Sequence, residues 1–578
     1  MTVSEYIFDF LQKKGSRQVF MVSGSSAMWL TDALKRNERL EPICCQHEQV
    51  AAMAADGVGR LSQKIGVALV TIGPGATNAV TGVAGAYVDS SPMIVLSGQA
   101  NSKLVAYEET TGIRQKGTQS ILLGNMVKDI TKYFAVVKLE KNIRYHMERA
   151  YYEAMSGRKG PVWLDIPIDI QNKQVPEEEE MDGFCPEEEK KEQWSDKVQE
   201  VKERLRSSVK PLILAGNGIL NANAKEELLW FCEKYQIPVV TSRGGIGVIP
   251  WEHPLFVGRP GSYGDRASHF AIQESDFLIV LGSRLSVSTV GYYPNHFGKN
   301  AWKVLVEIDE KEIGNRDVPM DAIIHGDCKE VLKEFLTEDA EGMDHSAWIS
   351  RCRQWKDQYP TVLPEYKDEE GINSYVFTQK LSRLAPENAA VVVDTGSVCN
   401  IVSQSWELKK QQDYVISGGL SCMGFWASAI GAAKVREEVI ALSGDGSVQM
   451  NIQDFATLQY YHLPVKLFVY NNKGYMLIRH NQHNYMNDRF LGVGPDSGVP
   501  SVSFFEVAKA YNIPAVQIKE KEEIEEKVRQ VFEMEGPVVC EVFVQEFGMI
   551  APRIASKVMP DGSLKAAEFD DLWPFLGE

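Results

Sequence analysis

VIALSGDGSVQMNIQDFATLQYYHLPVKLFVYNN, residues 439–472, settles the class of fold. Two apolar runs, VIALSG and VKLFVYN, each end in small or polar residues and are joined by a segment long enough for a helix. Such a unit makes two neighbouring parallel strands. Side by side, their exits present Asp445 between Gly444 and Gly446, then Asn471 and Asn472, with 24 residues between Gly446 and Asn471. The Asp445 carboxylate, the Asn472 amide oxygen and the Gly474 backbone carbonyl are three hard oxygen ligands. With positions left for diphosphate oxygens and a water, they form the donor set of an octahedral Mg²⁺. Gly444, Gly446 and Ser447 let backbone N–H groups approach a phosphate, and a helix beginning near Met450 would aim its positive end at it. A lone GDG closes a strand as readily as it builds a site; the pairing with two asparagines at the next strand exit is what makes the pattern specific.

Outward from this stretch the same signal repeats in three blocks, which gives an α/β fold of doubly wound parallel sheets covered by helices. The first block, residues 1–175, contains VALVTIGPGATN, PMIVLSG and PVWLDIP; an acidic stretch, 176–195, has too little apolar content to pack and reads as a linker. The second, 196–345, holds PLILAGNGI, IPVVTSRGG, SDFLIVLGSRL and KVLVEID. The third, 365–547, adds AVVVDTGS and PVVCEVFV to the opening stretch, and a tail of little periodicity, 548–578, ends the chain. The first and third blocks have the look of two copies of one design.

The 578 residues are too many for one core, and their composition (44% apolar, 24% charged) is that of a globular multidomain chain. A formal charge of -17 repels nucleic acid and anionic lipid, which disfavours both as partners without excluding a local basic pocket. Nine cysteines with no C-x-x-C pair suggest neither a disulfide framework nor a zinc site, and fit a reducing compartment. With an amphipathic N-terminal segment, MTVSEYIFDFLQKKG, and no 18-residue apolar run, a cytoplasmic location is expected.

The GDG and NN pair, together with HEQVAAMAADGVGR (47–60), TIGPGATN (71–78), SGRKGPVWLDIPIDIQ (156–171), SDFLIVLGSRL and LSCMGFWASAIGA (420–432), resembles the acetohydroxyacid synthase branch of thiamine diphosphate (ThDP) enzymes over nearly the whole chain. The resemblance implies a pyrimidine-binding, a central and a diphosphate-binding domain in that order. It implies that Glu48 reaches N1′ of the cofactor's aminopyrimidine. An apolar pocket would keep that carboxyl protonated, and the Ala and Met residues after Glu48 are expected to bury its surroundings. It further implies that Met423 props the cofactor into its bent form, that Gln119 is a polar active-site residue, and that the site lies between two subunits of a homodimer or homotetramer.

In the same family the central domain holds FAD, which takes no part in the net reaction. The matching positions here are Arg158, Gly216, Gly218, Gly282, Arg284, Glu307 and Asp327, while Ser288 stands where a second arginine is expected. The implied reaction is decarboxylation of pyruvate or a similar 2-oxo acid and transfer of the two-carbon unit to a carbonyl acceptor. Thr118 and Asn481 replace aromatic residues of the synthase acceptor pocket, which suits a larger, polar acceptor. GIRQKGTQ, MVKDITKYFAVV and DDLWPFL look similar to synthase-like proteins of bacterial surface-polysaccharide pathways, so a nucleotide-linked ketosugar is the expected acceptor. Acetolactate formation from two pyruvates and a ThDP/FAD oxidase are the alternatives. Arg479 and His480 could meet a nucleotide diphosphate or simply be solvated.

Overall fold

The computed structural model describes residues 1–187, 194–314, 316–337, 343–558 and 564–576. Three six-stranded sheets follow one another along the chain, and every strand pair within them is parallel. The first contains β1 (Gln18–Met21), β2 (Glu41–Cys44), β3 (Gly66–Val70), β4 (Met93–Gln99), β5 (Tyr133–Val136) and β6 (Pro161–Pro167), in the order β2-β1-β3-β4-β6-β5. The second contains β7 (Pro211–Ala215), β8 (Val239–Thr241), β9 (Phe256–Gly258), β10 (Phe277–Leu281), β11 (Trp302–Glu307) and β12 (Ala322–His325), in the order β12-β11-β10-β7-β8-β9. The third contains β13 (Ala390–Val393), β14 (Asp413–Ile416), β15 (Val439–Gly444), β16 (Val465–Asn471), β17 (Ala515–Ile518) and β18 (Val538–Phe543), in the order β14-β13-β15-β16-β18-β17.

Counted within each domain, the first and third sheets share one strand order, as the repeated sequence design suggests, and the middle sheet has that of a dinucleotide-binding fold. β3, β4 and β6 are buried throughout their length. Helices covering both faces of a parallel sheet leave no polar face, which is why these strands read as continuous apolar runs rather than alternations.

The first and third domains meet where the helix Glu48–Ser62 packs on the helix Ser428–Ala432. Backbones touch there: a Cβ on Gly57 would lie 2.4 Å from the Ser428 carbonyl oxygen, and one on Gly431 would lie 1.8 Å from that of Ala54. Both positions therefore require glycine, and the contact sets where Glu48 begins its helix.

Two connecting segments pack more than their composition suggests. The described part of the acidic stretch docks on the first domain: Met181 is buried, and Phe184 stands edge-on to Tyr145 while its N–H donates to Glu148. Two apolar side chains are enough because the docking surface is already built. Residues 188–193 of that stretch lie outside the described residues. The C-terminal tail forms an antiparallel pair, β19 (Ser556–Val558) with β20 (Leu564–Ala566), and straps the third domain to the middle one. Ala551 N–H donates to the Tyr375 hydroxyl and Ile554 N–H to the Ser262 carbonyl. The His269 ring stacks on Phe569 at 4.1 Å and is hydrogen-bonded to its carbonyl. Among the described residues no helix is long and apolar enough to cross a membrane.

Candidate active site

In sheets of this kind ligands lie beyond the C-terminal strand ends, at the point where strand order reverses. In the third domain that point falls between β13 and β15, and the sequence places Asp394 and Gly444–Asp445 there. Asp445 is 6% exposed, and burial pushes its carboxyl up to about 7, against the N–H bonds from Gly474 and Gly446 and the charge on Arg479. The Gly474 N–H donates at 2.7 Å and the Gly446 N–H at 3.0 Å.

The two asparagines at the end of β16 have divided roles. Asn471 donates to the buried Glu541 at 2.7 Å, a carboxylate that also receives Phe504 N–H, Phe505 N–H and Gln517. Asn472 is 2% exposed, and its Oδ1 is buried without a hydrogen-bond partner. A buried amide oxygen left unpaired costs about 1–3 kcal/mol unless something outside the protein meets it. An unpaired oxygen and a desolvated carboxyl, both at neighbouring strand ends, fit a hard divalent cation. Among the described residues no group of three or more His, Cys, Asp or Glu could hold a metal ion.

Three details differ from the sequence reading. The helix does not begin near Met450: a four-residue helix starts at Asp445 itself and passes into a 3₁₀ segment, Gln449–Asp454, so a long helix dipole does not face the metal donors. Gly446 makes room for a ring, since a Cβ there would lie 2.2 Å from Tyr475 Cε1, whereas Gly444 has space. Arg479 and His480 are neither solvated nor free. Arg479 donates to the carbonyls of Asn472, Lys473 and Val493, and to that of Glu546, while His480 is buried against Phe547 with ring centroids 4.5 Å apart.

Met423 is half-buried in the loop Gly418–Gly424, which is fastened at both ends. Gly418 and Gly419 donate their N–H groups to Asp89 of the first domain, and Phe425 and Trp426 donate theirs to Asp394. Burial pushes Asp394 up to about 6 despite bonds from Ser443, Thr395, Trp426 and Phe425. Asp454, also pushed up to about 6, accepts the N–H of Gln46 two residues before Glu48. Asp89, Asp394, Asp454 and Glu541 escape a sequence reading because their partners lie far along the chain. Only the alternation of acidic residues with apolar runs, as in VVVDTG, hints at Asp394.

Glu48 stands at the first turn of its helix, with Asn78 Nδ2 donating to its Oε2 at 3.0 Å. It is half-buried, not enclosed: the Ala and Met residues after it turn to the core, while its carboxyl faces the open side near Gly75. The apolar pocket expected around it is not formed in this chain. Gln119 and Thr118 are exposed on a loop of the first domain, and Asn481 is exposed on the helix Met476–Met486 of the third, so the residues read as one acceptor pocket sit on separate domains.

A cavity of about 550 Å³ opens at the strand-order reversal between β7 and β10 of the middle domain and is walled also by the first domain, with Arg60 and Asp89, and by the third, with Asp413 and Arg436. Arg158, Gly218, Gly282, Arg284, Glu307, Asp327 and Ser288 line it. Gly216 lies beneath, where a Cβ would fall 2.2 Å from the Gly282 carbonyl oxygen. Arg158 is held by Asp309 at 3.0 Å and Glu312 at 2.8 Å. Burial raises the Glu307 carboxyl above its usual range, although Ile308 and Asp309 N–H groups donate to it.

Paired α/β domains of one topology, a third of dinucleotide-binding topology between them, and a buried Asp–Asn oxygen pair at adjacent strand ends define a thiamine diphosphate enzyme. Sequence comparison agrees. The thiamine pyrophosphate enzyme N-terminal TPP binding domain matches residues 1–126, the central domain 198–335 and the C-terminal TPP binding domain 394–542. A probable acetolactate synthase large subunit of Methanocaldococcus jannaschii is 31% identical over 99% of this chain and 98% of its own length. The acetolactate synthase large subunit of Lactococcus lactis is 31% identical over 96% and 95%, and the isozyme 1 large subunit of Escherichia coli 29% over 96% of each. The chain belongs to the acetolactate synthase-like family of thiamine diphosphate enzymes, and it is a carboligase.

Proposed function

We propose that the chain removes CO₂ from pyruvate or a similar 2-oxo acid and transfers the remaining two-carbon unit to a carbonyl acceptor, with ThDP held through Mg²⁺ by Asp445, Asn472 and the Gly474 carbonyl. The observation that carries this reading is the unpaired Asn472 Oδ1 beside the desolvated Asp445 carboxyl. When bound, ThDP supplies the nucleophilic carbon that adds to the donor and carries the unit left after CO₂ departs. Glu48, oriented by Asn78, holds and moves a proton at the aminopyrimidine N1′. Met423 supports the cofactor, and Gln119 faces the substrates. The carboxyl bond of the donor breaks, a bond to the acceptor carbonyl carbon forms, and the acceptor oxygen takes up a proton; no electrons leave.

FAD is assigned to the cavity at the strand-order reversal of the middle domain, supported by its lining residues and by that place; Ser288 removes one cationic contact. A protein that stays colourless after reconstitution with FAD would withdraw it. The active site is assigned to the junction of two chains in a homodimer or homotetramer. The half-open Glu48 supports this, as do the exposed apolar side chains Leu420, Ile478, Tyr485, Phe490 and Leu491 on the third domain. Nine free cysteines suit the reducing cytoplasm.

Two acceptors are supported by separate observations. Polar Thr118 and Asn481 favour a bulky, hydroxyl-rich ketone such as a nucleotide-linked ketosugar. The names of the relatives favour a second 2-oxo acid, giving acetolactate. Incubation with pyruvate, ThDP and Mg²⁺, alone and with ketosugars, separates them by product mass. Acetolactate at full rate from pyruvate alone would exclude the sugar reading.

A further inference from the structure

Between β4 and Gln119 the chain builds a helix, Ser102–Thr111, whose start is fixed by Asp169: Ser102 donates its N–H and its hydroxyl to the two carboxylate oxygens, each at 2.7 Å. On the last turn stands Glu108, fully buried, with no ion-pair partner among the described residues. Its donors all come from one short loop. Oε1 accepts the N–H groups of Lys116 at 2.5 Å and Gly117 at 2.8 Å, and Oε2 accepts the Ser120 hydroxyl at 2.6 Å. Burial alone would raise this carboxyl; the bonds from Ser120, Gly117 and Lys116 outweigh it and hold the group below the usual carboxylate range. Hydrogen bonds to an ionised acceptor are about twice as strong as neutral ones.

The three donors straddle Thr118 and Gln119. Gln119 has φ +60°, a conformation uncommon for a residue with a side chain. Its carbonyl oxygen presses on Gly73, where a Cβ would lie 2.4 Å away, and a Cβ on Gly75, two residues on, would lie 3.3 Å from Glu48 Oε1. Glu108 thus fixes the loop, the loop abuts the Gly73–Gly75 turn, and the turn abuts Glu48.

We propose that Glu108 is a positioning residue for carboligation: it clamps the 116–120 loop so that Gln119 and Thr118 stay aimed at the acceptor. The proposal rests on the reading of those two residues as substrate-facing. Donor activation takes place at the cofactor with Glu48, which is held by Asn78 rather than by the loop, whereas Thr118 and Gln119 on the loop are assigned to the second substrate. Loosening the loop leaves CO₂ release intact and lets the two-carbon unit take a proton from solvent and depart as an aldehyde, acetaldehyde when pyruvate is the donor. The ratio of ketol to CO₂ therefore reports the clamp.

The test uses the full-length protein in two assays. Without cofactor, trypsin cleavage after the exposed Arg114 and Lys116 should speed up about tenfold or more in Glu108→Ala and by less in Glu108→Gln, whose neutral amide keeps a weaker acceptor toward the two N–H groups. With ThDP, Mg²⁺, pyruvate and whichever acceptor the product-mass assay identifies, Glu108→Ala should lower the ketol-to-CO₂ ratio about fivefold or more, with Glu108→Gln between it and wild type. Should Glu108→Ala fail to fold, Ser120→Ala removes one donor, leaves the carboxylate in place, and should move both readouts partway. Equal loss of CO₂ and ketol, or unchanged cleavage in both variants, would overturn the proposal. Gln119→Ala with a wild-type ratio would instead overturn the reading of the site on which it rests.

Discussion

Adding one methyl group at Gly446 should disable the metal site without touching a ligand. The new Cβ would lie 2.2 Å from Tyr475 Cε1 and 2.8 Å from Cδ1, so the ring must move by more than about an ångström to reach ordinary contact. Tyr475 follows Gly474, whose N–H holds Asp445 at 2.7 Å and whose carbonyl is the proposed third metal ligand. Displacing the ring drags that carbonyl off its position. Overpacking of this size costs about 1–3 kcal/mol, a ten- to hundredfold loss if it falls on the bound state. Isothermal calorimetry of ThDP with Mg²⁺ should show Gly446→Ala binding weaker by about that factor. The double variant Gly446→Ala/Tyr475→Ala should recover most of it, because the space is then empty. Wild-type affinity in Gly446→Ala, or no recovery in the double variant, would refute the coupling from Tyr475 to the ligand set.

Asp445→Ala should abolish Mg²⁺-dependent ThDP binding, since the diphosphate loses its counter-ion, and unchanged affinity by calorimetry would reject the metal assignment. Asp165, buried between Ser97 and Gln99 and pushed up to about 7, gives the stability a pH signature. Between about pH 4 and 7 the folded state keeps a proton that the unfolded chain has lost, so this group's contribution falls as pH rises, by up to about 1.4 kcal/mol per pH unit. Urea unfolding of Asp165→Asn should be flatter over that window than wild type; parallel curves would contradict the assignment. Asn481→Trp should cut turnover with a bulky ketone about ten- to a hundredfold more than it cuts CO₂ release, and an unchanged ratio of the two would place Asn481 outside the acceptor pocket.

The quoted apolar runs appear as strands because parallel strands buried on both faces need unbroken apolar sequence. Less legible were the short edge or half-buried strands: β2 has one buried residue, and β5 is half-buried throughout. Asp445 and Asn472 were visible because their spacing is local and fixed by two strand ends. What holds them in place was not. Asp454 reaches Gln46 from 408 positions away, and the Met423 loop hangs on Asp89, more than 300 positions earlier. Long-range hydrogen bonds to buried carboxylates leave no periodic trace in sequence. Glu108 sits closer, but its partners are backbone N–H groups, which every residue has. Arg479 looked like an exposed cation and proved to be a clamp on four backbone carbonyls, a role that depends on loop shape alone.

Glu48 of one chain is proposed to act with Asp445 and Asn472 of another on a single ThDP. Mixing separately inactive Glu48→Gln and Asp445→Ala chains under conditions that exchange subunits tests it directly. Hybrid dimers would then carry one fully native site each, and CO₂ release from pyruvate should return to about a quarter of the wild-type rate for random assortment. If each site lay within one chain, no native site could form, and activity no higher than that of the two variants alone would contradict the claim.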